Sequence, residues 1–170
     1  MRLDCGLCIL RDWRPEDKTS LVRHANNRNV WRNLTDAFPH PYTEEHADAW
    51  IAHVLAASPP THWTIETGGE AAGGIGAEPR ADVYAKSAHF GYWLGEPFWG
   101  RGIMTAAVRA TVTHVFSTMD VVRLEAPVFA WNPASMRVLE KSGFDREGVL
   151  RRSVFKDGQL IDSVMYARVR

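Results

Sequence analysis

The sequence predicts a single α/β (α+β) domain built on one mixed sheet with flanking helices. Two observations carry this. Segments of strand character and of helical spacing interleave in the order β-α-α-β-β-β-α-β-α-β-β, with no repeat, linker or low-complexity stretch between them. The 170 residues are 45% apolar and 24% charged, as in ordinary globular chains. At roughly 150 residues per domain this length makes one domain, residues 1–170.

The elements follow in chain order. Leu7 to Leu10 is a short apolar run that reads as the start of a strand. Arg14-Pro15-Glu16-Asp17 then opens a helix reaching about Asn26-Asn27, since proline fits the first helical turn and acids there suit the helix dipole. Val30 to Pro41 has no clean period and two prolines, and reads as a loop. Thr43 is a good N-cap for a helix carrying Ala47, Trp50, Ile51, Val54 and Leu55 at helical spacing, ended by Ser58-Pro59-Pro60. Strands at 62–66 and 71–77 flank Thr67-Gly68-Gly69-Glu70, a hairpin signal, and residues 88–94 form an aromatic-rich third strand. A helix from about Met104 to Thr118 precedes a strand at 123–129. Pro133 opens another helix, which stops at Gly143. Two last strands, about 148–155 and 160–169, flank Lys156-Asp157-Gly158-Gln159, whose Asp-Gly pair favours a tight hairpin.

Composition narrows the function classes. Twenty Lys and Arg balance twenty Asp and Glu, against a surface built for nucleic acid or acidic membranes. No apolar run approaches the ~20 residues of a membrane span. The opening MRLDCGLCILRDW brackets too short an apolar stretch for a signal peptide, so the expected location is cytoplasmic. Cys5 and Cys8 form a C-x-x-C pair, but no second Cys pair or H-x3–5-H pair completes a zinc site, and no metal is expected.

Two segments carry chemistry. In the first, Gly91-Tyr92-Trp93-Leu94 is followed by a glycine-bearing turn and at once by a helix: Trp99-Gly100-Arg101-Gly102-Ile103-Met104-Thr105. Such a turn aims unpaired helix N–H groups at one point and lets a pyrophosphate approach the backbone. A tight strand–helix turn without a ligand fits the Gly-Arg-Gly alone equally well. Neither G-x-x-x-x-G-K-[ST] nor G-x-G-x-x-G occurs, which disfavours a P-loop or dinucleotide fold. In the second segment, Asn132 precedes Pro133 where a strand hands over to a helix, and serves equally as a helix cap. Ser135 lies in the first turn. Arg137 and Lys141, four apart, share a helix face that either meets a phosphate or is simply solvated.

In order and spacing, these segments resemble the GNAT acetyltransferase superfamily and its RimJ/RimL type. The resemblance also takes in Leu10-Arg11, Arg14-Pro15-Glu16-Asp17, Gly143-Phe144, Glu147-Gly148 and Met165-Tyr166-Ala167-Arg168. It implies a mostly antiparallel sheet with one splayed pair of strands, and acetyl transfer from acetyl-CoA to an amine. The family's pyrophosphate pattern Q/R-x-x-G-x-G/A falls on Trp99 to Met104, where Trp99 and Met104 are departures. The donors there are backbone amides, and Thr105 adds a hydroxyl. Pantetheine would pair along Tyr92, Trp93 and Leu94, with Leu94 at the acyl region, and Asn132 matches a cofactor-binding asparagine.

The family's tyrosine acid, seven residues after that asparagine, falls on Leu139. The RimL-type serine falls on Ser135, the candidate acid, with a plain first-turn serine as its alternative. The position of the usual glutamate base falls on His89, a candidate base or a solvent-facing histidine. The acceptor would lie along residues 30–39, where Trp31 and Phe38 would wall a slot unless one of them packs in the core, and Asp36 would hold a cationic amine. It would be a protein N-terminus or a small amine. A homodimer is compatible, since such folds commonly pair. A second class, a non-catalytic CoA-binding module of the same fold, is kept open by Trp99, Met104 and Leu139.

Overall fold

A computed structural model describes residues 1–170. Eight strands form one sheet in the order β1-β2-β3-β4-β5-β6-β8-β7, with β1 at Arg2–Asp4, β2 at Ile9–Arg11, β3 at His62–Thr67, β4 at Glu70–Pro79, β5 at Ser87–Leu94, β6 at Arg123–Phe129, β7 at Asp145–Lys156 and β8 at Gln159–Val169. Every neighbouring pair is antiparallel except β5 and β6. This is the mixed sheet that the element order predicts, mostly antiparallel as the resemblance implies.

Helices cover both faces. On one lie α1 (Lys18–Ala25) and α3 (Glu44–Ala56), over a cluster of Trp13, Leu21, Ala25, Tyr42, Ala47, Ile51, Val54 and Ala71, with the short α2 (Arg28–Trp31) between them in the chain. On the other lie α4 (Ile103–Thr118) and α5 (Pro133–Lys141), over the larger core that includes Leu10, Trp63, Ile65, Ile75, Phe90, Val108 and Leu124. Strand alternation separates the two: Ile75, Ala77 and Phe90 enter the large core, while Gly74, Gly76, Gly91 and Trp93 face α1 and α3. No helix is long and apolar enough to cross a membrane.

Two readings of the chain are corrected. The stretch expected as a loop from Val30 begins within α2, because the Asn27 side chain caps that helix, accepting from the Asn29 N–H at 2.7 Å. The N-terminus holds a hairpin of two strands where one was expected. Cys5 and Cys8 flank its two-residue turn, with Gly6 left-handed at φ 77° and the Cys5 N–H donating to the Cys8 carbonyl at 2.8 Å. Three-residue strands are too short to show a period, and both thiols are free.

Candidate active site

The site starts from a break in the sheet. Strands β5 and β6 pair only at Ser87 with Arg123, Ala88 with Leu124 and His89 with Glu125. Beyond that point β5 stays with β4 as far as Leu94 opposite Gly73, and β6 stays with β8 as far as Phe129 opposite Ser163. The two strands therefore part, and the gap opens into a cavity of about 1180 Å³. The Gly95 N–H donates to Ala72 of β4 at 2.8 Å, so alternation turns the N–H groups of Leu94 and Tyr92 toward the gap. The Leu94 carbonyl is held by the Trp99 indole N–H at 2.7 Å.

At the mouth of the gap, Gly100 and Gly102 are left-handed, with φ 74° and 77°. Gly102 is the N-cap of α4 and leaves the N–H groups of Ile103, Met104 and Thr105 in a first turn without intrahelical acceptors. Ile103 is buried in the core and fixes the direction of the helix. Arg101, Arg137 and Lys141 line the same cavity. A polyanion fits there by geometry and by charge.

Asn132 caps α5, its side-chain oxygen accepting from the Ser135 N–H at 3.2 Å, and it also lines the cavity. Ser135 Oγ lies 2.8 Å from the Tyr92 phenol oxygen, which also donates to the Ser135 carbonyl at 3.3 Å. Burial pushes that phenol far above the ordinary tyrosine range, and the Ser135 contact opposes only part of the rise. Leu139 is fully buried in the core. A phenol from β5 thus reaches the first turn of α5, four residues before the Leu139 position on which the family's tyrosine falls. The resemblance sets Tyr92 along the cofactor; its contact with Ser135 spans 43 positions and leaves no local pattern.

His89 is exposed at the point where the strands part, and it lines the cavity. Its register neighbour Glu125 is engaged by Arg123 at 2.8 Å and Arg80 at 2.9 Å. Of the residues expected at the acceptor, Phe38 lines the cavity, its ring 5.5 Å from Trp93 and 5.0 Å from Tyr42. Trp31 and Asp36 are placed otherwise than expected. Neither is among the lining residues, and both are engaged by Lys156, whose ammonium sits 3.7 Å from the Trp31 ring centre and 2.6 Å from Asp36 Oδ1. Residues the sequence reading passed over line this end instead: His46 and His53 of α3, Trp50, His62 of β3 and Glu78 of β4. Only the register of β3, β4 and β5 sets the last two on one face, His62 opposite Gly76 and Glu78 opposite His89.

A family model for the acetyltransferase (GNAT) domain matches residues 8–145. The chain belongs to the GNAT family. Among GNAT relatives, the probable N-acetyltransferase YjcK of Bacillus subtilis is 45% identical over 73 residues, 43% of this chain and 40% of that protein. The ribosomal-protein-serine acetyltransferase of Escherichia coli is 32% identical over 90 residues, 53% and 50% of the two chains. The chain spans about half the length of the curated relatives it matches first. Among solved structures, RimL, a ribosomal L7/L12 alpha-N-protein acetyltransferase in complex with coenzyme A, shares the GNAT fold with TM-score 0.86 at 24% identity, covering 99% and 98% of the chains. The microcin C7 self-immunity acetyltransferase MccE, in complex with acetyl-CoA and AMP, gives 0.83 at 20%, covering 97% and 93%.

Proposed function

We propose that residues 1–170 form one acetyltransferase domain that moves an acetyl group from acetyl-CoA to a primary amine by direct attack. The amine belongs to a protein N-terminus or a small molecule. The observation that carries this reading is the parted pair β5 and β6, with N–H groups of Tyr92 and Leu94 along its edge and a left-handed glycine turn at its mouth. Acetyl-CoA supplies the activated acyl group.

The rest falls to the chain. The first turn of α4, with Arg101, Arg137 and Lys141, takes the phosphates. Pantetheine extends along Tyr92, Trp93 and Leu94 in the manner of an added strand. The Leu94 N–H then meets the oxygen on which charge develops, where a fixed donor has its largest effect. His89 accepts the amine proton, directly or through one water. Ser135 hands its proton to the departing thiolate as it takes one up from solvent, and Tyr92 holds the serine hydroxyl in place. Thiolate is an undemanding leaving group, so a serine suffices. Asn132 keeps the first turn of α5 in register with the gap.

The test is release of free thiol from acetyl-CoA with a panel of amines and N-terminal peptides. Acetyl-CoA should raise the melting temperature, and at least one acceptor should release thiol. A second reading, a CoA-binding module without turnover, draws on Leu139 in the acid position. Stabilisation by acetyl-CoA with no thiol release from any acceptor would establish it.

A further inference from the structure

The cavity is polarised. Of its three lining cations, Arg101 precedes α4 and Arg137 and Lys141 lie along α5, and Glu78 is the one carboxylate among its lining residues. Glu78 lies at the other end, directly across the β4–β5 ladder from His89. Two positions further along this face the register pairs Gly76 with His62 on one side and Gly91 on the other. The His62 ring covers Gly76, where an added Cβ would come within 2.2 Å of it. Over Gly91 there is nothing within 4 Å of the position a Cβ would take. Gly91 has neither a left-handed backbone nor a crowded neighbour to account for the absence of a side chain. A glycine inside a strand weakens it, and where no bulge or bend needs one it marks the close approach of something else.

We infer that the acceptor amine is seated in the open space over Gly91, that Glu78 attracts its ammonium, and that Gly91 restricts the acceptor to a slender chain carrying a primary, positively charged amine. The seat lies beside His89 and one residue from Tyr92, so an amine resting there meets the proposed base and the edge where the acyl group would lie. Burial holds His62 below the ordinary histidine range, which leaves its ring uncharged at neutral pH and Glu78 as the attracting charge. Trp93, Trp50 and Phe38 line the cavity together with the histidines His46, His53 and His62. Branching at the carbon that bears the amine would meet the strand backbone or these rings.

The inference rests on the acetyltransferase reading, and the experiment separates the two. Thiol release is followed with glycinamide and n-propylamine as slender acceptors and with valinamide and tert-butylamine as branched ones, for the native protein, Gly91→Ala, Gly91→Val and Glu78→Gln. The native protein should favour the slender acceptors by at least about tenfold in kcat/KM. Gly91→Val should raise the slender-acceptor KM about tenfold or more while the acetyl-CoA melting shift stays as in the native protein, with Gly91→Ala between. Glu78→Gln should raise KM for these cationic acceptors several-fold and leave kcat within about twofold. If Gly91→Val fails to fold, Gly91→Ala decides by its ratio of slender to branched turnover, which should rise. Unchanged acceptor KM in the folded glycine variants overturns the inference, as does turnover confined to branched amines or to none of these four. Failure of every acceptor in a wider panel overturns the acetyltransferase reading itself.

Discussion

Lys156, at the end of β7, places its ammonium 3.7 Å from the centre of the Trp31 ring and donates to Asp36 at 2.6 Å. The lysine side chain is 2% exposed and the aspartate 73%, so burial falls on the cation rather than on the carboxylate. Beside them Arg28 donates to Asp157 at 2.7 Å. The tip of the β7–β8 hairpin is thus fastened to the segment between α2 and α3 that carries Phe38 into the cavity. Trp31 and Asp36 brace the segment that carries Phe38 instead of lining the cavity.

Removing this brace should cost stability in a coupled way. Lys156→Met keeps the stem and loses the charge, and should lower the unfolding free energy by about 2 kcal/mol, the size of a desolvated cation–π contact. Trp31→Ala should cost more, because the ammonium stays buried with part of its surroundings gone. A double-mutant cycle in urea should return a coupling of about 1–2 kcal/mol between the two positions. Additive losses would mean that ring and ammonium do not act on one another.

Ser135 and Tyr92 should behave as one unit in catalysis. Ser135→Ala is expected to lower kcat about a hundredfold with little change in acetyl-CoA KM, as for loss of a positioned proton donor. Tyr92→Phe keeps the ring and loses the hydroxyl that holds the serine, and should lower kcat about tenfold. The double variant should be no slower than Ser135→Ala alone. A multiplicative loss would show that the phenol acts independently of the serine.

What the sequence made legible follows the range of the interactions. The glycine turn before α4, the Asn132 cap and the Asp157-Gly158 hairpin are settled within a few residues. Asp157 and Gly158 indeed both adopt the positive φ, 51° and 73°, that a tight hairpin asks of them. The hold of Lys156 on Asp36 reaches across 120 positions, and that of Tyr92 on Ser135 across 43. Neither has a spacing that a reader of the chain could detect. The row of His62, Gly76 and Gly91 depends on two strand registers at once, so the three residues stood in the sequence as unrelated letters. The donor half was legible because backbone conformation writes it; the acceptor half was not, because tertiary contact writes it.

Gly102 should be the more sensitive of the two turn glycines toward the donor. A Cβ there would meet only Leu7 at 3.5 Å, an ordinary contact, so substitution is opposed by the left-handed backbone and not by space. Gly102→Ala should destabilise the fold by about 1–2 kcal/mol and, as the turn relaxes, tilt the N–H groups of Ile103 to Thr105 away from their common focus. Titration calorimetry should show acetyl-CoA binding weakened about tenfold or more. Native affinity in a folded variant would move the phosphate site away from this turn.

Tyr42 makes stability fall at high pH. Its ring is buried against Phe38 and His46, and burial pushes its phenol from 10 up to about 12. A group whose folded value is raised keeps its proton better in the folded state, so its contribution is complete below about pH 10 and is lost as the pH climbs toward 12. Tyr92, raised further still, adds to the loss in the same direction. Urea unfolding at about pH 8 and about pH 11.5 should therefore show a drop that Tyr42→Phe reduces, because phenylalanine has no proton to surrender. Equal drops in the two proteins would mean that the Tyr42 hydroxyl reaches water in the folded state.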